Sequence, residues 1–146
     1  MKNRIYLDNC CFNRPFDNQG NIITELETKA KLQIQEMIVN NELELVVSYI
    51  LEYENDQNPF CERQQIIEDF FQFASLDVNE NADVLIVANE IMLTGIKTKD
   101  ALHIACAIDS ECDYFITTDK RLLKYKNKNI QIMNPITFLL ERSLAT

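Results

Sequence analysis

Asp113-Tyr114-Phe115-Ile116-Thr117-Thr118-Asp119 is a short apolar run that closes on two hydroxyl residues and a carboxylate. Aromatic and β-branched residues in so short a segment, bounded by Asp on both sides, predict a buried strand that ends at a polar loop. The same pattern stands at Ile5-Tyr6-Leu7, which runs into Asp8, while Leu43 to Val47 and Ile130-Gln131-Ile132 complete the strand candidates. Between them, apolar residues return at helical spacing. Ile22, Leu26, Ala30, Ile34, Met37 and Ile38 mark an amphipathic helix from Ile22 to about Val39, which Asn40-Asn41 interrupts. Ser48 caps a short helix through Glu54. Asn58 with Pro59 opens a helix carrying Phe60, Ile66, Ile67, Phe70, Phe71, Phe73 and Ala74, an aromatic stripe at the spacing of a core or dimer face. Ala82 to Leu93 forms another, with Gly95 as its C-terminal cap. Thr98 caps the next, whose Ala101, Leu102, Ile104, Ala105, Ala107 and Ile108 predict burial against the sheet, and Pro135 opens the last.

Strands alternating with helices imply an α/β fold with three layers, α/β/α, around a central, mostly parallel sheet of four to five strands. A chain of 146 residues, 47% hydrophobic, fills one core, so residues 1–146 read as a single domain. No apolar stretch is long enough for a membrane span, and Met1-Lys2-Asn3-Arg4-Ile5-Tyr6-Leu7-Asp8 turns polar too early for an export signal. A cytoplasmic protein is the expectation. The five cysteines, odd in number and without CxxC spacing, predict reduced thiols, and a single histidine leaves little to complete a zinc site.

Asp8 and Asp119 each end a strand, and Asp100 falls in the first turn of a helix whose start lies at the same edge of the sheet. Taken singly, each acid has an ordinary use: a turn, a helix-dipole partner, a cap. Taken together they repel, since two charges about 4 Å apart cost roughly 4 kcal/mol at an effective dielectric of 20. Either the acids share protons or a cation lies between them. All-oxygen ligands with open positions suit Mg²⁺ or Mn²⁺.

The strand ending in Asp8, the stretch Lys99-Asp100-Ala101-Leu102-His103-Ile104-Ala105 and the stretch Phe115-Ile116-Thr117-Thr118-Asp119 resemble the acidic motifs of PIN domains, which include the VapC-like ribonuclease toxins. The order and spacing match from residue 4 to about 139. The resemblance implies a fourth acid after the second strand, and Glu52 and Glu54 both stand there. They lie about 200° apart on a helix, so only one can face the site. Glu54 shares a face with Ile50 and Leu51, whereas Glu52 sits with Ser48, Asn55 and Asp56 on what reads as the wetter side, which selects Glu54. By the same resemblance Thr117 helps to place a water; its plain alternative is an ordinary strand residue. The family further implies metal-dependent cleavage of RNA by Asp8, Glu54, Asp100 and Asp119, a role as toxin beside an antitoxin protein, and a homodimer.

Net charge is −9, which disfavours phosphate binding by the chain as a whole. The charge is uneven: residues 21 to 90 hold 15 acids and 3 bases, leaving 8 acids and 11 bases in the flanks that carry the candidate site. Lys120, Arg121, Lys124, Lys126 and Lys128 follow Asp119 directly, and Arg14 and Lys99 lie in other loops at that edge. They are the candidates for holding RNA phosphates, against the reading of a solvated charged helix. Phe12 or Phe16 stacks on a base or is buried under its loop. His103 touches a phosphate or is a hydrogen-bonded core histidine. Two rival functions stand: a catalytically inactive PIN-like module that binds RNA or protein, and a phosphoryl-transfer domain with Asp8 as nucleophile. The second needs another Asp two residues on, where this chain has Cys10.

Overall fold

A computed structural model of the chain describes residues 2–145. Five parallel strands form one sheet in the order β3-β2-β1-β4-β5. They are β1 (Asn3–Leu7), β2 (Leu43–Ser48), β3 (Leu76–Val78), β4 (Tyr114–Ile116) and β5 (Gln131–Met133). The helices are α1 (Asn9–Asn13), α2 (Ile22–Val39), α3 (Tyr49–Asp56), α4 (Cys61–Phe71), α5 (Ala82–Met92), α6 (Thr98–Asp109), α7 (Lys120–Lys124) and α8 (Pro135–Ala145), with a 3₁₀ turn at Arg14–Phe16.

Alternation along the strands assigns the layers. Tyr6 lies opposite Val46 on one side and Phe115 on the other, and the Tyr6 and Phe115 rings stack at 5.4 Å on the face that receives His103 of α6. Ile5 and its partners Leu45 and Tyr114 therefore point to the opposite face. There Tyr114 meets Phe138 of α8 edge-on, and α8 packs on α2. The three-layer α/β/α architecture and the parallel sheet match the expectation, with the strand number at its upper end. No helix among the described residues is long and apolar enough to cross a membrane.

Several boundaries differ from the sequence reading, each for a local reason. The stretch after Asp8, as far as Gly20-Asn21, reads as a polar loop, yet the Asp8 carboxylate accepts the Asn9 N–H and starts α1. The Asn58 Oδ1 accepts the Phe60 N–H in a tight turn, so α4 starts at Cys61 rather than at Pro59. Of its stripe, Ile67 and Phe70 enter the core while Phe60, Ile66 and Phe73 stay exposed. Thr98 is the first helical residue of α6 and does not cap it: Lys97 occupies the cap position without a side-chain bond. Gly95, at φ +103°, takes the left-handed conformation that leads the chain out of α5.

Lys31 of α2 is 5% exposed, with Nζ 5.5 Å from the Phe12 ring centre, 5.6 Å from that of Phe70, and bonded to Gln35 Oε1. Burial lowers its pKa to about 8. A base whose folded pKa is depressed destabilises the fold progressively as pH falls from the unfolded value near 10.5 through 8. Lys31→Met is therefore expected to raise stability at pH 7 by roughly 1–3 kcal/mol. The gain should shrink toward pH 10.5, as followed by chemical denaturation.

Candidate active site

In the order β3-β2-β1-β4-β5 the direction of winding reverses between β1 and β4, and in open parallel sheets the crevice at such a switch is the usual ligand site. Asp8 follows the last residue of β1, and Asp119 stands three residues past β4. Asp100 is the third residue of α6, and Glu54 the sixth of α3. All four line one cleft of about 420 Å³. Asn9, Cys10, Asn13 and Asp17 complete its wall.

Each acid is held differently. Asp8 is buried; its Oδ1 accepts the Asn9 N–H at 2.8 Å, and its Oδ2 accepts the Thr117 hydroxyl at 2.8 Å and the Cys10 thiol at 3.5 Å. Thr117 is itself fully buried and accepts the Asp119 N–H at 3.1 Å, so one hydroxyl ties the two strand-end acids together. Asp119 spends Oδ1 on the N–H groups of Arg121 and Leu122, capping α7, and leaves Oδ2 for the cleft. Glu54 receives the Asn9 side-chain amide at 3.4 Å on Oε2, and its Oε1 meets His103 Nε2. Asp100 is half-buried. Loss of water, then the charges of Asp8 and Asp119, raise its pKa above the ordinary carboxylate value.

Glu52 points elsewhere. It lines a separate cleft with Asn55, Asp56 and Glu68, and partial loss of water together with a bond to Asp77 raises it to about 7. Asn55, assigned from the sequence to the wet side of α3, is buried: its side-chain amide donates to the Gln64 carbonyl and ties α3 to α4.

The basic candidates divide. Lys120, Arg121, Lys124, Lys126 and Lys128 are exposed and form no ion pair with any described residue, and exposed Lys99 lies over the Tyr53 ring. Arg14 turns inward instead, pairing with Asp17 at 3.0 Å and with buried Glu27 at 3.2 Å. Since Glu27 also accepts the Asn134 amide, Arg14 serves as a strut between the loop, α2 and the segment before α8. Phe12 is buried; Phe16, half-buried, lies beneath the Arg63 guanidinium. His103 is a hydrogen-bonded core residue that meets the cleft acid Glu54 from beneath.

The four acids of the cleft offer oxygen donors only, and loss of water together with the charges of Asp8 and Asp119 raises Asp100. Such a set fits a hard cation in kind. Among the described residues no three His, Cys, Asp or Glu side chains already form a cage. Mg²⁺ does not demand one, since it keeps several waters and takes one or two carboxylates directly.

The PIN-domain family model matches residues 5–128. The chain belongs to the PIN-domain family. Among solved structures it is similar to a chain of VapBC2 from Rickettsia felis bound to a DNA fragment from their promoter. That match has a TM-score of 0.59 and 16% identity, covering 90% of this chain and 98% of the other. DNA-bound VapBC from Salmonella typhimurium gives 0.58 and 15% over 92% and 99%. At such identity the likeness is one of fold. No curated protein matches the chain. In PIN-domain terms the sequence lacked any signal for Asn9, Asn13 and Asp17, which reach the cleft only because α1 and its turn fold over the end of β1.

An acid whose folded pKa is raised stabilises the fold below its unfolded pKa and loses that contribution as pH rises through the folded value. In EDTA, Asp100→Asn is therefore expected to melt a few degrees above the parent at pH 7.5, as read by a thermal scan. Glu52→Gln, at a largely exposed position, should gain only about 1–2 °C at pH 8 and nothing at pH 4.5.

Proposed function

We propose that the chain is a Mg²⁺- or Mn²⁺-dependent endoribonuclease that hydrolyses RNA phosphodiester bonds and acts in the cytoplasm as the toxin of a type II toxin-antitoxin pair. The observation that carries this reading is the convergence of Asp8, Glu54, Asp100 and Asp119 on one cleft, where loss of water and the charges of Asp8 and Asp119 raise Asp100. When bound, such an ion would supply Lewis-acid polarisation of a phosphate and lower the pKa of a water, the chemistry that in-line cleavage to a 5′ phosphate needs.

The chain's own groups do the rest. The four carboxylates would hold the cation directly or through water, Asp8 from a buried position and Glu54, Asp100 and Asp119 from half-buried ones that leave room for the waters such an ion keeps. Thr117 fixes the Asp8 carboxylate and the turn into Asp119, so it acts by positioning those two acids. Lys120, Arg121 and Lys124 follow Asp119 on an exposed helix, where they guide a phosphodiester toward the cation, and Lys99 stands beside Asp100. Such contacts position the backbone without reading its sequence.

An antitoxin protein is the proposed partner, supported by the VapBC complexes among the structural neighbours. A homodimer is supported by the apolar side chains left exposed on α4, on the turn that follows it and on α5, among them Ile66, Phe73 and Ile86. The second reading, an inactive PIN-like module that binds RNA or protein, draws on the −9 charge and on the lack of a preformed cage among the described residues.

Purified protein incubated with single-stranded and structured RNA separates the two. Cleavage is expected with Mn²⁺, abolished by EDTA, and reduced by about 100-fold or more in Asp8→Asn and Asp119→Asn, since even outer partners of a metal site cost 10–100-fold. Cleavage that survives EDTA or both substitutions contradicts the assignment, and RNA binding without cleavage supports the second reading.

A further inference from the structure

His103 is the chain's single histidine, and it is 1% exposed. Its Nδ1 lies 2.6 Å from the Tyr6 hydroxyl, which in turn lies 2.6 Å from Ser48 Oγ. Its Nε2 meets Glu54 Oε1 and stands 4.0 Å from Asp8 Oδ1. At the far end, Ser48 Oγ accepts the Leu51 N–H at 3.3 Å and caps α3. Glu54 belongs to that same helix, so the series begins and ends on α3 and closes a loop through β1 and α6.

A neutral imidazole with its proton on Nε2 is one arrangement that satisfies every contact. Ser48 accepts from Leu51 and donates to the Tyr6 oxygen, Tyr6 donates to Nδ1, and Nε2–H donates to Glu54. The Tyr6 ring, stacked on Phe115 and edge-on to the imidazole, fixes where the hydroxyl points. A donor between Glu54 and Asp8 also offsets the repulsion of two carboxylates that must face one cleft.

We propose that Tyr6 and His103 are positioning residues: the Tyr6 hydroxyl holds His103 with its proton on Nε2, and that N–H aims the Glu54 carboxylate into the cleft. The consequence for ions rests on the function proposed above, in which Glu54 is one of the cation-holding acids. The orientation of the imidazole does not. Glu54 sits on a short helix with three side-chain torsions, and its other bond, from the Asn9 amide, is long at 3.4 Å, so without the imidazole it would sample the solvent side of α3. Partners that orient a metal-holding group affect affinity by roughly 10–100-fold.

A single histidine makes the test direct, because the ¹⁵N spectrum contains one imidazole. In the metal-free protein, Nε2 is expected to be protonated and Nδ1 bare. Tyr6→Phe keeps the ring and deletes the hydroxyl, and it should shift the Nδ1 resonance and weaken Mg²⁺ binding by about 10–100-fold in calorimetry. The loss should vanish on a Glu54→Gln background, since the two act through one contact. Should Tyr6→Phe fail to fold, His103→Gln, which retains an N–H donor, is expected to bind Mg²⁺ more tightly than His103→Leu. An imidazole protonated on Nδ1, or unchanged Mg²⁺ affinity in Tyr6→Phe, overturns the proposal. If the parent protein binds no Mg²⁺, the proposed function fails separately. The Nε2 resonance then decides the positioning role alone: a shift on Glu54→Gln supports it, and no shift refutes it.

Discussion

Like charges at one end of a sheet are the constraint around which this molecule is organised. Asp8 and Asp119 stand at the ends of neighbouring strands, and α6 and α3 bring Asp100 and Glu54 to the same crevice. The fold meets the repulsion with donors: a threonine hydroxyl and a backbone N–H on Asp8, the start of α7 on Asp119, an imidazole and an amide on Glu54. Asp100 is raised above the ordinary carboxylate value by loss of water and then by the charges of Asp8 and Asp119. The remaining imbalance is what a hard cation would relieve.

Placement of those donors explains features that otherwise read as unrelated. Tyr6 is a buried polar ring in a strand of aliphatic neighbours because its hydroxyl links β2 to α6 beneath the cleft. Thr117 is a strand-end residue with no exposure because its hydroxyl serves both Asp8 and Asp119. Arg14 turns from solvent to Glu27 and Asp17, pinning the turn that carries Asp17 to the rim. The cations of α7 and the segment after it, directly following Asp119, then present a positive surface in a chain whose middle is strongly acidic.

How much of this was legible in the sequence depended on how far each signal was local. Ile5-Tyr6-Leu7 and Tyr114-Phe115-Ile116 announce strands because central parallel strands are apolar on both faces, and β2 and α2 are equally plain. The edge strand β3 went unread: Leu76-Asp77-Val78 is three residues long, with two of them exposed and a carboxylate at its centre. Asp8 is legible as a strand terminator, but its second task as cap of α1 is visible only in space. Helix phase separated Glu54 from Glu52 because one of two positions 200° apart had to face outward. The same phase argument misjudged Asn55, whose burial comes from contact with α4, a tertiary event that no local pattern encodes.

Whether a cation occupies the crevice is the point on which the account turns, and anomalous scattering from a crystal grown with Mn²⁺ addresses it most directly. The account predicts a single strong peak, or two adjacent ones, bounded by Asp8, Asp100 and Asp119, with Glu54 within direct or water-mediated reach. A peak beside Glu52 and Asp77 instead, or none at saturating Mn²⁺, would contradict it.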